Sequence, residues 1–320
     1  GCCAILPLLL ALLYPVPVSL LGCFAGTYGI TSPRICLVFT KDSATLSAPA
    51  DVSQTLNSTA AFKSIYPIDG SQRIFGANLT AKCDAVLAWR SDALFDDSVG
   101  DALADFWDAG GAVVVTAKAF GPYLKGRFFS DSYSVWSAIN GCPTPSADAA
   151  SSPFLEPDSP LLRDVNMISA QYASKCDGVT KNGGRVVARW NSNAALVVRG
   201  NIHDRPMVAL NMWPVSSAVD SWGWSGDGAN LLRNALLYSM CRSCWMGSYS
   251  LEGAGNCTPC PAGTFSIDVG ASSSASCNQC SAGSYSSALG ASTCISCSAG
   301  SSSPPGWSSD CQPCTAGTYS

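Results

Sequence analysis

Ten of the chain's 17 cysteines fall in its last 80 residues, and they fall as five C-x-x-C pairs: Cys241/Cys244, Cys257/Cys260, Cys277/Cys280, Cys294/Cys297 and Cys311/Cys314. Their first cysteines are 16, 20, 17 and 17 residues apart. A phrase recurs after the second cysteine of each pair: WMGSYS, PAGTFS, SAGSYS, SAGSSS and TAGTYS. Such a period marks a repeat array. Each unit holds one or two aromatics at best, and only Arg242, Glu252, Asp268 and Asp310 carry charge in the whole stretch. Units that small cannot bury enough apolar surface to offset chain entropy, so covalent staples must do it. The spacing Cys241-x2-Cys244-x12-Cys257-x2-Cys260 also suits a four-cysteine zinc site. An oxidising compartment favours disulfides over zinc and over redox chemistry.

The compartment is read from the other end. The chain opens Gly-Cys-Cys-Ala rather than with Met, which predicts a start further upstream. Residues 4–21, AILPLLLALLYPVPVSLL, are almost wholly apolar, and Pro7, Pro15 and Pro17 leave only Leu8 to Tyr14 unbroken. That length matches the core of a signal peptide, with small residues at Gly22 and Ala25 as cleavage points. An anchor helix and a buried apolar element are the alternatives. Leu20-Leu21-Gly22-Cys23 also resembles a bacterial lipoprotein acylation site. The sequons Asn57-Ser58-Thr59, Asn78-Leu79-Thr80 and Asn256-Cys257-Thr258 are consistent with export and mark Asn57, Asn78 and Asn256 as expected glycosylation sites.

The repeated C-x-x-C-x-x-G-[ST]-[YF]-S pattern resembles the ephrin-receptor-like cysteine-rich repeats, relatives of the first subdomain of tumour-necrosis-factor-receptor modules. The fourth copy departs from it, with Ser302 at the aromatic position. The resemblance implies an extracellular stalk or interaction module. It also implies a connectivity: Cys244–Cys257, Cys260–Cys277, Cys280–Cys294 and Cys297–Cys311. Cys241 then needs an upstream partner, for which Cys176 and Cys142 are the candidates. Cys314 opens a loop with no closing cysteine, so the resemblance predicts a free Cys314 and a longer array. The partners of Cys23, Cys36 and Cys83 stay open.

Residues 34–240 read as α/β. Ile35–Thr40 is a continuous apolar run of the kind a strand buried on both faces requires, and Asp84–Trp89 and Ala112–Thr116 read as further strands. Ser64–Ile68 is a further strand, and residues 96–109 place Val99, Leu103, Phe106 and Trp107 on one helical face before Gly110-Gly111 ends the helix. This order predicts a parallel, doubly wound sheet. Residues 142–160 read as a loop. Arg185–Trp190, Ala194–Arg199 and Pro206–Trp213 read as strands, with a turn at 200–204 and a helix over 228–240. The phrases DAVLAW, LADFWDAGGAVVVTA, SPLLRDV and MVALNMWP…GWSGDGANLLRNALLYS resemble the glutamine-amidotransferase-like, flavodoxin-like fold.

Enzymes of that fold carry a cysteine nucleophile on a tight turn and a histidine base. Here Ala112–Thr116 runs into Ala117-Lys118-Ala119-Phe120, with no Cys, Ser or Gly pair for an elbow. The single histidine, His203, sits in a polar turn beside Asp204 and Arg205. Gly223-Trp224-Ser225-Gly226-Asp227 approaches the G-x-S-x-G elbow but ends in Asp. Asp96-Asp97 reads as a helix N-terminal carboxylate pair rather than an acid/base site. Trp213, Trp222 and Trp224 are residues that either line a ligand surface or cover a sheet edge.

The expectation is therefore an α/β protein in three parts: a leader over 1–25, a doubly wound amidotransferase-like domain over 34–240, and an elongated, mostly irregular, β-poor repeat tail over 241–320. Its expected work is non-catalytic recognition or adhesion outside the cell, toward a protein or glycan ligand. No cofactor or metal is expected, and membrane association would come through a region C-terminal to this chain. With 18 Lys+Arg against 22 Asp+Glu, it lacks the basic face a nucleic-acid partner requires. The alternative is a secreted hydrolase using Ser225 or Asp227 with His203.

Overall fold

The computed structural model describes residues 23, 27–30, 32–40, 47–91, 94–116, 119, 124–130, 133–138, 146–173, 178–220, 223–251, 254–306, 308–316 and 318. The elements in chain order are β1 (Thr27–Tyr28), β2 (Arg34–Phe39), α1 (Ala48–Ser58), β3 (Ser64–Asp69), α2 (Gly76–Lys82), β4 (Ala85–Trp89), α3 (Ser98–Asp108), β5 (Ala112–Thr116), α4 (Arg127–Ser130) and β6 (Trp136–Ala138). They continue with β7 (Ser146–Ser151), β8 (Met167–Ala173), β9 (Gly178–Thr180), β10 (Arg185–Arg189), β11 (Ala195–Ile202), β12 (Arg205–Leu210), β13 (Trp224–Gly226), α5 (Gly228–Ser239) and β14 (Arg242–Ser243).

A seven-stranded sheet in the order β10-β11-β12-β5-β4-β2-β3 organises residues 34–240. β2, β4 and β5 form its centre, and every side chain of β4 and β5 is buried. Alternate residues feed two cores. Leu37, Leu87 and Val114 pack with α1 and α5, whereas Val38, Val86 and Val113 pack with α2 and α3. That alternation is the period-2 geometry of a strand with a helical layer on each side.

The expected doubly wound, amidotransferase-like parallel sheet is corrected at this point. The sheet is mixed: β10 pairs antiparallel with β11, and β11 with β12, before β12 returns parallel to β5. His203 and Asp204, both with positive φ, join β11 to β12. A two-residue connection can only make a hairpin, since a parallel pair needs a crossover of a dozen residues or more. A second, three-stranded antiparallel sheet, β13-β8-β7, lies outside the main one. Its strand β7 takes six residues, Ser146–Ser151, of the stretch 142–160 that reads as a loop. The β-poor tail is corrected too, because each repeat described below carries a two-residue antiparallel ladder.

The start of β2 is tied to the start of β4 by a partly exposed polar contact. Arg34 donates to Asp84 through its backbone N at 2.7 Å and through Nη2 at 2.9 Å. Burial pushes the Asp84 carboxyl up, but hydrogen bonds and charge from Arg34 outweigh it and hold its pKa below the ordinary 3.8. A depressed carboxylate stabilises the fold above its unfolded pKa, and that stability is lost as pH falls through the folded value. Asp84→Asn should therefore cost about 1 kcal/mol near neutral pH, a figure discounted because the pair is partly exposed. In urea unfolding followed from pH 7 to pH 2, the difference between variant and parent should shrink only below about pH 4.

The tail is a run of stapled units. Disulfides join Cys244 to Cys257, Cys260 to Cys277, Cys280 to Cys294 and Cys297 to Cys311. Cys314 carries no disulfide. Between units the same three backbone bonds recur. Gly247 N donates to Ser266 O at 2.8 Å, Gly270 N to Cys244 O at 2.6 Å, and Ser250 N to Ala271 O at 3.0 Å. Their equivalents one unit on are Gly263 to Ser286, Gly290 to Cys260 and Ser266 to Ala291; the next set is Gly283 to Ser303, Gly306 to Cys280 and Ser286 to Ser308. Each unit is thus bonded to the next by the same backbone pattern, as in other linear arrays.

Two glycines of the recurrent phrase separate conformation from packing. Gly247 and Gly283 share a left-handed backbone, φ +81° and +77°. A Cβ on Gly247 would lie 2.0 Å from the Gly290 carbonyl oxygen, while one on Gly283 would meet nothing within 4 Å. Gly283→Ala should cost only the left-handed strain, about 1–2 kcal/mol. Gly247→Ala should cost at least about 1 kcal/mol more, because backbone must move. Thermal unfolding of both variants should rank them in that order. Among the described residues no helix is long and apolar enough to cross a membrane.

Candidate functional site

Open α/β sheets bind ligands beyond the carboxyl ends of their strands, where the strand order reverses. That point here lies between β2 and β4, and among the described residues it is locked. Thr40 Oγ1 and Ser91 Oγ hydrogen-bond at 3.0 Å, and Ser91 N donates to Thr40 Oγ1 at 2.9 Å, with both residues buried. One strand over, the Thr116 hydroxyl at the end of β5 is fully buried without a hydrogen-bond partner. Ala117 and Lys118, the elbow position, lie outside the described residues, as does Trp222.

An open cleft of about 610 Å³ lies instead against the three-stranded sheet. Register places Ala149 of β7, Ser169 of β8 and Ser225 of β13 in one cross-strand row. Ala147, Asp148, Ala170, Asn191, Ser217 and Gly223 complete the lining. Small side chains on the floor leave room that Leu or Phe would fill. Ser169 Oγ and Ser225 Oγ share a hydrogen bond at 2.8 Å. Asp148 accepts from Ala149 N at 2.8 Å and from Ser192 N at 3.3 Å, and Asn191 N donates to Ala149 O at 2.7 Å, which holds the 191–192 turn as one wall. Ser217, Ser225 and Asn191 are exposed.

Among the described residues neither histidine nor lysine lines the cleft, and Asp148 is its one carboxylate. A serine hydroxyl is a weak nucleophile without an adjacent base. Ser225's bonded neighbour is another hydroxyl. The lining can donate and accept hydrogen bonds to a neutral, polar surface, and its single carboxylate disfavours anions.

The residues of the hydrolase alternative are not brought together. His203 sits exposed at the start of β12, edge-on to Tyr133 with ring centroids 5.7 Å apart. Ser225 and Asp227 lie beyond the other end of β12, roughly 20 Å away at the rise of a six-residue strand. Asp227 Oδ2 is occupied by Asn166 N at 2.8 Å and Met167 N at 3.1 Å. Asp96 takes Ser98 N and Oγ at 2.9 and 2.5 Å, and the hydroxyl bond holds its pKa below the ordinary 3.8. Asp97 pairs with Lys125 at 2.8 Å on the surface. Trp224 is buried with its Nε1 donating to Pro214 O at 3.0 Å, and Trp213 Nε1 donates to Asp220 at 3.1 Å. These two indoles serve packing rather than a ligand platform. Cleft residues Asp148, Ser169, Asn191 and Ser217 have no local signature, because only strand pairing assembles them.

Asn57 and Asn78 are exposed on α1 and α2, and Asn256 is exposed beside the Cys244–Cys257 bond. Cys36 and Cys83 are bonded to each other inside the core. The upstream partner of Cys241 is Cys23, not Cys176 or Cys142, which lie outside the described residues. Pairing of β1 with β14 brings the two cysteines together. No group of three or more His, Cys, Asp and Glu gathers as a metal site among the described residues.

Comparison with known proteins places the tail. The family described as tyrosine-protein kinase ephrin type A/B receptor-like matches residues 236–277. No curated protein matches the chain. Solved structures similar to it include a putative ThuA-like protein from Bacteroides uniformis, at 11% identity and TM-score 0.47, covering 64% of this chain and 90% of that one. A ThuA-like protein from Parabacteroides merdae is 9% identical, with TM-score 0.45, covering 78% and 98%. A cytoplasmic protein of Salmonella typhimurium is 13% identical, with TM-score 0.42, covering 66% and 100%. The C-terminal region carries cysteine-rich, ephrin-receptor-like repeats, a disulfide-bonded module compatible with an extracellular, ligand-binding role.

Proposed function

We propose that the protein is a non-catalytic recognition protein of the cell exterior. Its α/β domain holds a neutral, hydroxyl-rich ligand, a glycan, in the cleft over β13-β8-β7, and its stapled repeats present that domain away from the surface. The observation that carries the reading is the cleft lining: among the described residues it holds three serine hydroxyls, one amide and one carboxylate, with no base beside Ser225. Hydroxyl and planar amide or carboxylate groups match the alternating donors and acceptors of a sugar edge. The disulfides support the compartment, since such bonds persist where thiols are not kept reduced.

The test is a glycan array probed with the full-length exported chain, followed by titration of the best glycan. Asn191→Ala with Asp148→Ala should weaken binding at least about tenfold, the equivalent of one lost hydrogen bond to a charged or amide group. Binding unchanged in that double variant would remove the cleft from the reading. Turnover of esters or glycosides that vanishes in Ser225→Ala would replace recognition with hydrolysis.

A further inference from the structure

The Cys23–Cys241 disulfide reaches across the α/β domain, and both cysteines are buried. Its surroundings repeat the tail. Cys23-Phe24-Ala25-Gly26-Thr27-Tyr28 has the phrase of Cys260-Pro261-Ala262-Gly263-Thr264-Phe265, Cys280-Ser281-Ala282-Gly283-Ser284-Tyr285 and Cys314-Thr315-Ala316-Gly317-Thr318-Tyr319. Cys23 bonds the first cysteine of the next C-x-x-C pair, as Cys244, Cys260, Cys280 and Cys297 do.

The backbone agrees position by position. Thr27 and Tyr28 pair with Ser243 and Arg242, as Thr264 and Phe265 pair with Gln279 and Asn278. Gly29 N donates to Ala254 O at 3.2 Å, which is the bond Ser250 makes to Ala271 and Ser266 makes to Ala291. Ser250 Oγ donates to Thr27 O at 2.9 Å, as Ser303 Oγ does to Ser284 O at 2.8 Å. The stacking of unit on unit therefore continues onto Cys23 and residues 27–29.

We propose that residues 23–29 are the opening half of the array's first repeat, that the α/β domain is carried in the loop of that repeat, and that the export leader is cut on the N-terminal side of Cys23. The cleavage part rests on the export reading above. In the other units the loop between the tyrosine phrase and the closing cysteine is short; here it holds a folded domain whose two ends meet at β1 and β14. A cut after Ala25 would discard Cys23 and leave Cys241 without its partner in a buried position. A thioether lipid on Cys23 needs the sulfur that the disulfide already uses. Both are incompatible with the clamp, whereas a cut at Gly22 preserves it.

Two measurements on the full chain decide this. N-terminal sequencing and intact mass of the exported protein should give a first residue at Cys23 or shortly before it. Non-reducing peptide mapping should recover essentially all of the Cys241 peptide cross-linked to the Cys23 peptide. A first residue at Phe24 or beyond, a lipid mass on Cys23, or an uncut leader on an exported chain overturns the processing site. Cys241 cross-linked elsewhere overturns the repeat. Oxidative refolding of the unexported chain separates the two readings: a Cys23–Cys241 cross-link there, with no export from cells, condemns the export reading and keeps the repeat.

Discussion

Replacing Cys23 with serine is expected to cost up to about 5 kcal/mol, the value for opening a loop of more than two hundred residues in the unfolded chain. The bond spans 218 positions and encloses the whole α/β domain. Its loss also leaves the Cys241 thiol buried where a second sulfur stood. Cys297→Ser opens a bond spanning only 14 positions and should cost about 3 kcal/mol, confined to its own unit. Urea unfolding read by tryptophan emission from the α/β domain separates the two, because Trp89, Trp107, Trp136 and Trp190 are all fully buried there. The midpoint should fall steeply in Cys23→Ser and stay put in Cys297→Ser. Equal midpoints for parent and Cys23→Ser would show that the clamp does not support the domain.

Gly100→Ala is expected to be the most damaging single methyl in the α/β domain. Gly100 lies in the first turn of α3, and a Cβ there would sit 1.5 Å from the carbonyl oxygen of Lys125 and 2.7 Å from its carbon. Those are backbone atoms, so no rotamer relieves the overlap. The displaced segment also delivers Arg127 to α3, where Arg127 N donates to Asp101 at 2.8 Å and the guanidinium reaches Asp105 and Asp108. Overpacking costs about 1–3 kcal/mol where side chains can yield, and this site should exceed 3 kcal/mol. Alanine is otherwise the better helix former by about 1 kcal/mol, so propensity alone predicts the opposite sign. A thermal unfolding midpoint at or above the parent's would show that the α3 contact is looser than the geometry requires.

The parts of the molecule legible in advance are those specified locally. β2, β4 and β5 are runs of apolar residues too short for helices and too continuous for a one-sided strand. α3 and α5 announce themselves by helical spacing, α3 with a double glycine behind it. The repeat phrase and its cysteine spacing recur within the tail, where nothing interrupts the comparison. α1 escaped because Ala-Pro-Ala-Asp-Val-Ser-Gln-Thr-Leu-Asn-Ser buries only a narrow face, and β7 because Ser-Ala-Asp-Ala-Ala-Ser has the composition of a turn. Both are held in place by partners far along the chain. Asp51 of α1, for example, accepts from Ser216 N and Oγ at 2.7 Å each.

The candidate cleft belongs wholly to that second class. Asp148, Ser169, Asn191, Ser217 and Ser225 become neighbours only through the pairing of β7, β8 and β13, and no local pattern encodes such pairing. The opening half-repeat at Cys23 is an intermediate case. Its phrase stood in the sequence, but it adjoins an apolar run and is separated from its kin by the α/β domain. What the sequence alone determined is therefore the two materials of the chain, its buried central strands, and the repeat, whose staple pairing the family resemblance implied, because burial and periodicity act over a few residues. Tertiary structure alone decided the cleft and the bond from Cys23 to Cys241, because each depends on which distant segments come to lie side by side.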